Sequence, residues 1–317
     1  MIKSNHIEIV VVGSLNMDLV VRSPHLPIPG ETIIGNSFAT YEGGKGFNQA
    51  IAARRAGGQV AFVGKVGRDG FGDRFVAALD REGISRDFVT RGKNSTGIGN
   101  VWVGEDGANK IIVVPGTNNE VTPEDVEAAS ELLASAWVLL LQLEIPIATC
   151  TRAAQLVRRG GGKVLLTAAP VPTQPLPSEL FEAISLLLVN ETEVRQMATL
   201  LGLPAFNEGQ EVEAGRAILA QVGSSLEGIV ITLGSKGALW LSTQQVEHID
   251  SFKVKAIDTT AAGDTFTGAL AVGLQRGLPV PELLRFANAA GALSVTREGA
   301  YPSIPFEAEI ERLLANG

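Results

Sequence analysis

Short, almost uniformly apolar runs recur along the chain at His6–Gly13, Val60–Gly64, Trp137–Leu143, Lys163–Thr167, Ser185–Asn190 and Ile229–Gly234. Between most of them, apolar residues repeat at helical spacing. Strands apolar on both faces that alternate with helices predict a doubly wound α/β fold, a mostly parallel sheet with helices on both faces. Helix ends are marked as well. Thr122-Pro123-Glu124-Asp125 supplies an N-cap, a proline at the first helical position and acids in the first turn, while Gly160 and Gly202 read as C-terminal stops.

Two stretches break this rhythm, at about residues 14–42 and about residues 95–118, where β-formers mix with Gly and Pro and no helical repeat intervenes. They are expected to pair as one small sheet, a lid inserted into a single domain that spans residues 1–317. Strands with no helix to cover them must bury their apolar face over a cleft, against a second subunit, or both. The chain has no long linker and no internal repeat, which argues against independent domains.

The composition, 45% hydrophobic and 19% charged over 317 residues, suits one large core with a small appendage. The net charge of −8 is spread along the chain without a Lys/Arg-rich block, which argues against nucleic acid as a partner. Cys150 is the single cysteine, so an internal disulfide is impossible and a reducing compartment fits; His6, His25 and His248 are too scattered to suggest a metal cluster. The apolar run in the opening MIKSNHIEIVVVG is too short for a signal-peptide core or a membrane span, and a soluble, cytoplasmic protein is expected.

The densest candidate chemistry is Ile257-Asp258-Thr259-Thr260-Ala261-Ala262-Gly263-Asp264-Thr265-Phe266, which runs from a strand into a helix over Thr265–Gln275. Small residues at such a junction let the backbone approach a ligand. The unpaired amides of a helix start, backed by roughly half a positive charge from the dipole, hold an anion. Asp264 reads either as the cap of that helix or as a base that takes a proton from a hydroxyl attacking phosphorus. The loop alone does not choose.

Other polar residues fall at similar junctions. Asn16 and Asp18 are two apart in a β-run, so they project from one face while Leu15, Met17 and Leu19 project from the other, as on any strand with a wet face. Gly43-Gly44-Lys45-Gly46-Phe47-Asn48-Gln49-Ala50 sets a Gly-rich turn ahead of a helix over Asn48–Ala56. Glu144 follows an apolar strand, where open α/β sheets bind ligands. Asn190-Glu191-Thr192-Glu193 has the form of a helix cap, and Lys236 in the polar turn after Ile229–Leu233 reads equally as a solvated charge.

In this order, the segments Gly43–Ala50, Asn190–Glu193 and Asp258–Asp264 resemble the motifs of the ribokinase-like carbohydrate kinases, the PfkB-type family. The resemblance extends from Gly13-Ser14-Leu15-Asn16-Met17-Asp18 to Gly299-Ala300-Tyr301-Pro302-Ser303. It implies an α/β kinase with a β-sheet lid that transfers the γ-phosphoryl of ATP to the primary hydroxyl of a pentose, D-ribose giving D-ribose 5-phosphate. By the same resemblance Asp264 is the base, and Ala261, Ala262 and Gly263 form the anion hole. Asn16, Met17, Asp18, Gly44, Lys45, Gly46, Phe47, Asn48 and Glu144 are assigned to the sugar. Asn190, Thr232, Leu233, Gly234, Ser235, Lys236, Gly237, Gly263, Asp264 and Asn288 are assigned to ATP. Asn190 and Glu193 would order Mg2+ partly through water, in keeping with that ion's preference for oxygen and retained waters. A K+ activator would lie among Asp258, Thr260, Ser294, Arg297, Gly299 and Ser303, held largely by backbone carbonyls. The lid's edges and apolar face suggest a homodimer.

Two positions depart from the pattern. Thr167-Ala168-Ala169-Pro170 stands where the resembled kinases usually have Asn-Pro-Ala-Pro, and Phe47 replaces a small residue, a ring expected to narrow the sugar pocket or stack on the substrate. The sugar is therefore left open, with deoxyribose, fructose or a nucleoside as alternatives, alongside a non-catalytic sugar-binding regulator. A nicotinamide dehydrogenase is disfavoured because Gly13-Ser14-Leu15-Asn16 stands where G-x-G-x-x-G would, and a P-loop kinase because no Gly-Lys pair is followed by Ser or Thr.

Overall fold

The computed structural model describes residues 7–106, 108–223 and 225–316; His6, expected to open the first strand, lies outside them. In chain order the strands are β1 (Ile9–Val12), β2 (Asn16–Ser23), β3 (Ser37–Gly43), β4 (Val60–Val66), β5 (Ser85–Arg91), β6 (Gly97–Gly104) and β7 (Asn109–Val114). They continue as β8 (Val138–Gln142), β9 (Lys163–Thr167), β10 (Leu186–Asn190), β11 (Gly228–Thr232), β12 (Ala238–Leu241) and β13 (Val246–Ile249). Nine of them form one sheet in the order β13-β12-β11-β10-β9-β8-β1-β4-β5. Neighbours from β11 to β5 pair in parallel, and β12 and β13 add an antiparallel edge.

The central strands are apolar throughout because both faces are covered. Ile9 and Val11 of β1 enter one core, and Val10 and Val12 enter the other. The first core is closed by helices Lys45–Arg55, Ala262–Gln275 and Val280–Ser294, the second by helices Ile147–Arg159, Glu191–Leu200 and Glu211–Val222. Edge strand β5, with its sequence SRDFVTR, escapes an apolar-run reading because it is half-exposed. Thr122 is the expected N-cap, and with Asp125 it completes a capping box. Gly160 caps its helix with φ −77°, and the left-handed turn falls to Gly161 at φ 86°.

The two irregular stretches meet in a second sheet, β3-β2-β6-β7, in which β2 pairs antiparallel with β3 and parallel with β6. Alternation along β2 is as expected: Leu15 and Met17 are buried in the main core, while Asn16, Asp18, Val20 and Arg22 line a cleft. Chain order runs outward in opposite directions from the β1/β8 boundary, so a crevice opens at their carboxyl ends. Helices Lys45–Arg55 and Ala262–Gln275 both start at that crevice and pack against each other. Among the described residues, no helix is long and apolar enough to cross a membrane.

The contact between these two helices is close enough to exclude a methyl group. A Cβ on Gly268 would lie 2.5 Å from Ala52 Cβ and 2.6 Å from both Ala53 N and Gln49 O. Gly268→Ala is expected to destabilise by about 1–3 kcal/mol, despite the ~1 kcal/mol that alanine gains in helix propensity. Urea unfolding measures the difference, and a more stable variant would contradict the packing.

Candidate active site

The loop after β1 is clipped to the end of β8 and to the start of helix Lys45–Arg55 by one carboxylate. Glu144 Oε2 accepts from Ser14 Oγ, from Asn16 Nδ2 at 3.3 Å and from Lys45 N at 3.0 Å. Ser14 takes the next two amides of that helix, Gly46 N at its Oγ (3.2 Å) and Phe47 N at its carbonyl (3.0 Å). The helix start is thus spent on the protein itself. Asn118 braces the other side: its Oδ1 accepts from Leu15 N at 2.9 Å and its Nδ2 donates to Asn16 Oδ1 at 2.8 Å, which fixes the Asn16 amide.

Asp18 has no room beside a side chain on either neighbouring strand. A Cβ on Gly43 would lie 2.4 Å from its Oδ2, and one on Gly99 2.5 Å from its Oδ1. Burial pushes its pKa up to about 7, helped by the charges of Glu144 and Asp264. For Lys45 burial works against the charge, but Asp264, Glu144 and Glu193 outweigh it and raise the pKa. Burial also raises Glu193; the Asn190 amide and Lys45 pull it back and Asp264 adds to the rise. Asp264 is itself buried, its Oδ1 accepting from Gln49 Nε2 at 3.0 Å and its Oδ2 from Asn48 Nδ2 at 3.3 Å.

The loop that ends at Asp264 turns through Ala261, whose φ of 60° is left-handed, an uncommon and strained state for a residue with a Cβ. Helix Ala262–Gln275 starts there. The Ala262 amide closes a turn to Thr259 O at 3.3 Å, while Gly263 and Asp264, in the first turn, have no acceptor within the helix. Asp258 anchors the other end of the loop: Oδ1 accepts from Thr260 N at 2.9 Å and Thr260 Oγ1 at 2.6 Å, and Oδ2 from Gly299 N at 2.9 Å. Burial opposes its charge, but these hydrogen bonds prevail and hold its pKa below the ordinary value. The buried Ser294 and Ser303 hydroxyls donate to Gly291 O and Ala300 O, both at 2.8 Å, whereas the Arg297 guanidinium is drawn off to Glu309.

Three cavities meet at this loop. One of about 720 Å³ lies under the small sheet and is lined by Asn16, Asp18, Gly44, Lys45, Asn48, Glu144 and Asp264, with Val20, Val101, Val103, Ile111 and Val113 above them. A second, of about 220 Å³, holds Lys45, Thr167, Asn190, Glu193 and Asp264. The third, of about 430 Å³, is lined by Thr232, Gly234, Ser235, Gly237, Phe252, Gly263 and Asn288. Asn288 Nδ2 also donates to Ile249 O at 2.9 Å and Asp250 O at 3.3 Å.

Several expected site residues face elsewhere. Phe47 shares its helix face with Ile51 and is fully buried, edge-on to Phe75 at 5.0 Å and to Tyr301 at 5.4 Å, so it lines none of the three cavities, against the expectation of a pocket ring. Met17 points into the core on the opposite face of β2 from Asn16, and Gly46 packs on Ser14. Leu233 and Lys236 lie outside the lining of the third cavity; the Lys236 side chain is 75% exposed, 3.7 Å from Glu191. Thr167 lines the second cavity and not the first. The sequence gives no role to Ser14, Gln49, Asn118 and Gln142, because their contacts join positions more than ninety apart in most cases; the one local signal is a polar residue next to apolar runs at Ser14 and Gln142.

Residues 6–307 match the pfkB family carbohydrate kinases, and the chain belongs to that family. It is 37% identical over 300 residues to a ribokinase of Haemophilus influenzae, covering 94% of this chain and 95% of that one. A deoxyribokinase of Salmonella typhi is 33% identical over 301 residues, covering 94% and 96%. The structure of Arabidopsis thaliana ribokinase complexed with ribose and ATP superposes with a TM-score of 0.88 at 35% identity, covering 97% of this chain and 98% of that one.

The crowding of Asp18 generates a prediction. The unfolded chain loses this proton near 3.8 and the folded protein near 7, so between those values the folded state binds more protons and Asp18 lowers stability as pH rises. Asp18→Asn is expected to raise Tm by an amount that grows from about pH 4 to about pH 7 and then levels off. A pH-independent change in Tm would contradict the crowding.

Proposed function

We propose that the protein is an ATP-dependent pentose kinase that converts D-ribose to D-ribose 5-phosphate. The observation that carries this reading is the position of Asp264 at the start of a helix and at the meeting of two cavities, one walled by sugar-type polar groups and one opening toward the nucleotide-sized third. The primary hydroxyl attacks the γ-phosphorus; the new O–P bond forms as the bond to the oxygen bridging to ADP breaks, and the hydroxyl proton goes to Asp264. Amides of Ala261, Ala262 and Gly263 stabilise charge on the transferred group, that of Ala262 in exchange for its 3.3 Å contact to Thr259 O, and Thr232, Gly234, Ser235, Gly237 and Asn288 hold the nucleotide.

Ribose is favoured by the density of polar groups at the sugar end. Asn16, Asp18, Lys45, Asn48 and Glu144 line it together, and an acceptor lacking a hydroxyl leaves one of them unpaired. Thr167 and Phe47, the two departures from the family pattern, both lie away from that wall. Deoxyribose is the second reading, since a deoxyribokinase is among the relatives. Turnover with each of the two sugars separates them.

Mg2+ fits the middle cavity. The half-buried Glu193 and the buried Asp264 carboxylates line it together, and a cation would offset the burial, and with it the Asp264 charge, that raises Glu193. Asn190 Oδ1 is already engaged by Thr192 N at 2.9 Å and Glu193 N at 2.8 Å, so Asn190 and Glu193 would hold the ion partly through water. When bound, Mg2+ neutralises charge on the phosphates. We assign K+ to the pocket of Asp258, Thr260, Ser294, Arg297, Gly299 and Ser303. Asp258, kept ionised, ties the loop to the Gly299 turn, and Arg297 would contribute only backbone.

The small sheet acts as a lid on the single domain. Ile111 and Val113 line the cleft and Phe38, Ile112 and Val114 do not, yet all five are exposed, an apolar surface that a second copy would cover in a homodimer. A cytoplasmic setting fits a lone buried thiol and an ATP-using enzyme.

Asp264→Asn is expected to lower kcat by about 10²-fold or more with sugar affinity within a few-fold, since the amide cannot take the proton; near-normal turnover would remove Asp264 as the base. Replacing choline or tetramethylammonium by K+ at equal ionic strength is expected to raise the rate. An unchanged rate discards the cation assignment.

A further inference from the structure

We infer that Gln49, locked in place by Gln142, positions the carboxylate of Asp264. The inference rests on the kinase reading above and gives a role to residues that reading leaves unused. Gln49 is fully buried and lines none of the three cavities. Its Nε2 uses both hydrogens, donating to Asp264 Oδ1 at 3.0 Å and to Thr167 Oγ1 at 3.2 Å. Its Oε1 accepts from Gln142 Nε2 at 2.7 Å. Turning the Gln49 amide over would set oxygen against the Asp264 carboxylate at one end and N–H against N–H at the other, so the network has one sense.

Gln142 is the last residue of β8 and is also fully buried; among the described residues its Oε1 has no hydrogen-bond partner. A buried oxygen without a partner is destabilising, and an apolar side chain of equal length would avoid that. The neighbouring strand leaves space for this amide: a Cβ on Gly13 would lie 2.1 Å from Gln142 Oε1. What the residue supplies in return is the single N–H that fixes Gln49.

The consequence falls on the reacting carboxylate. Oδ1 is held from the buried side by Gln49, and Oδ2 only by the 3.3 Å contact from Asn48, itself a lining residue of the sugar cavity. Oδ2 is therefore the oxygen turned to the sugar, and it takes the hydroxyl proton as the O–P bond forms and the bridging P–O bond to ADP breaks. Thr167 completes the frame as an acceptor for the second Gln49 hydrogen. Gln49 and Gln142 touch no reacting atom and are positioning residues.

Gln142→Met removes the lock without a direct contact to Asp264. It is expected to lower kcat about tenfold, with KM for sugar and ATP within twofold and Tm unchanged or higher; Gln49→Met is expected to lower kcat about 10²-fold with the same KM pattern. In Gln49→Glu the activity, relative to the parent protein, recovers toward low pH, where the new carboxyl regains a proton to donate. Parental kcat in both Met variants, or kcat and KM worsening together with a lower Tm, overturns the inference. A parent protein that phosphorylates no pentose sinks the kinase reading separately. The lock is then judged by NMR from hydrogen exchange of the Gln49 side-chain NH2, slow in the parent protein and faster in Gln142→Met; unchanged exchange overturns it.

Discussion

The cleft depends on Glu144 being the common acceptor for three donors from two chain segments, the β1–β2 junction and the start of helix Lys45–Arg55. Ser14 arrives from the loop after β1, Asn16 from the first residue of β2, and the Lys45 amide from a helix start. Hydrogen bonds to a charged group contribute roughly 1.5–3 kcal/mol each, about twice a neutral one. A parallel sheet brings strand ends to one edge but does not by itself orient the loops beyond them. Here that orientation comes from one carboxylate at the switch point, with Asn118 bracing the opposite side of the loop.

Charge is the second constraint. Asp264, Glu144 and Glu193 raise the pKa of Lys45, and Asp18 lines the same cavity. Setting these carboxylates in a closed cleft costs stability: burial first, and neighbouring charge second, raise the pKa of Asp18 and of Glu193. Hydroxyl donors from a bound sugar and a bound cation would relieve it, which is the usual relation between a site poised for ligand and the stability of the empty fold.

Much of the architecture was legible from apolar runs and helix caps because the central strands are buried on both faces, and burial on both faces leaves an unambiguous sequence trace. β5 was not, since a half-exposed edge strand carries Arg86, Asp87 and Arg91. Within the site, Asn16 and Asp18 could be set on one face by strand alternation alone. That same alternation set Met17 on the other face, and it points into the core. Phe47 was misjudged because residue type and neighbourhood suggested a pocket ring, whereas the helical phase that pairs it with Ile51 turns it inward. Gln49 and Gln142 are ninety-three positions apart and meet only once helix and sheet are assembled. No local pattern encodes that meeting.

The segment from Thr259 to Asp264 contributes wall to all three cavities. Ligands at the two ends therefore share one boundary, whose turn at Ala261 is held in a strained state. A ligand that shifts that boundary at one end alters the wall met by the other, and any resulting change of affinity would be the same factor in both directions.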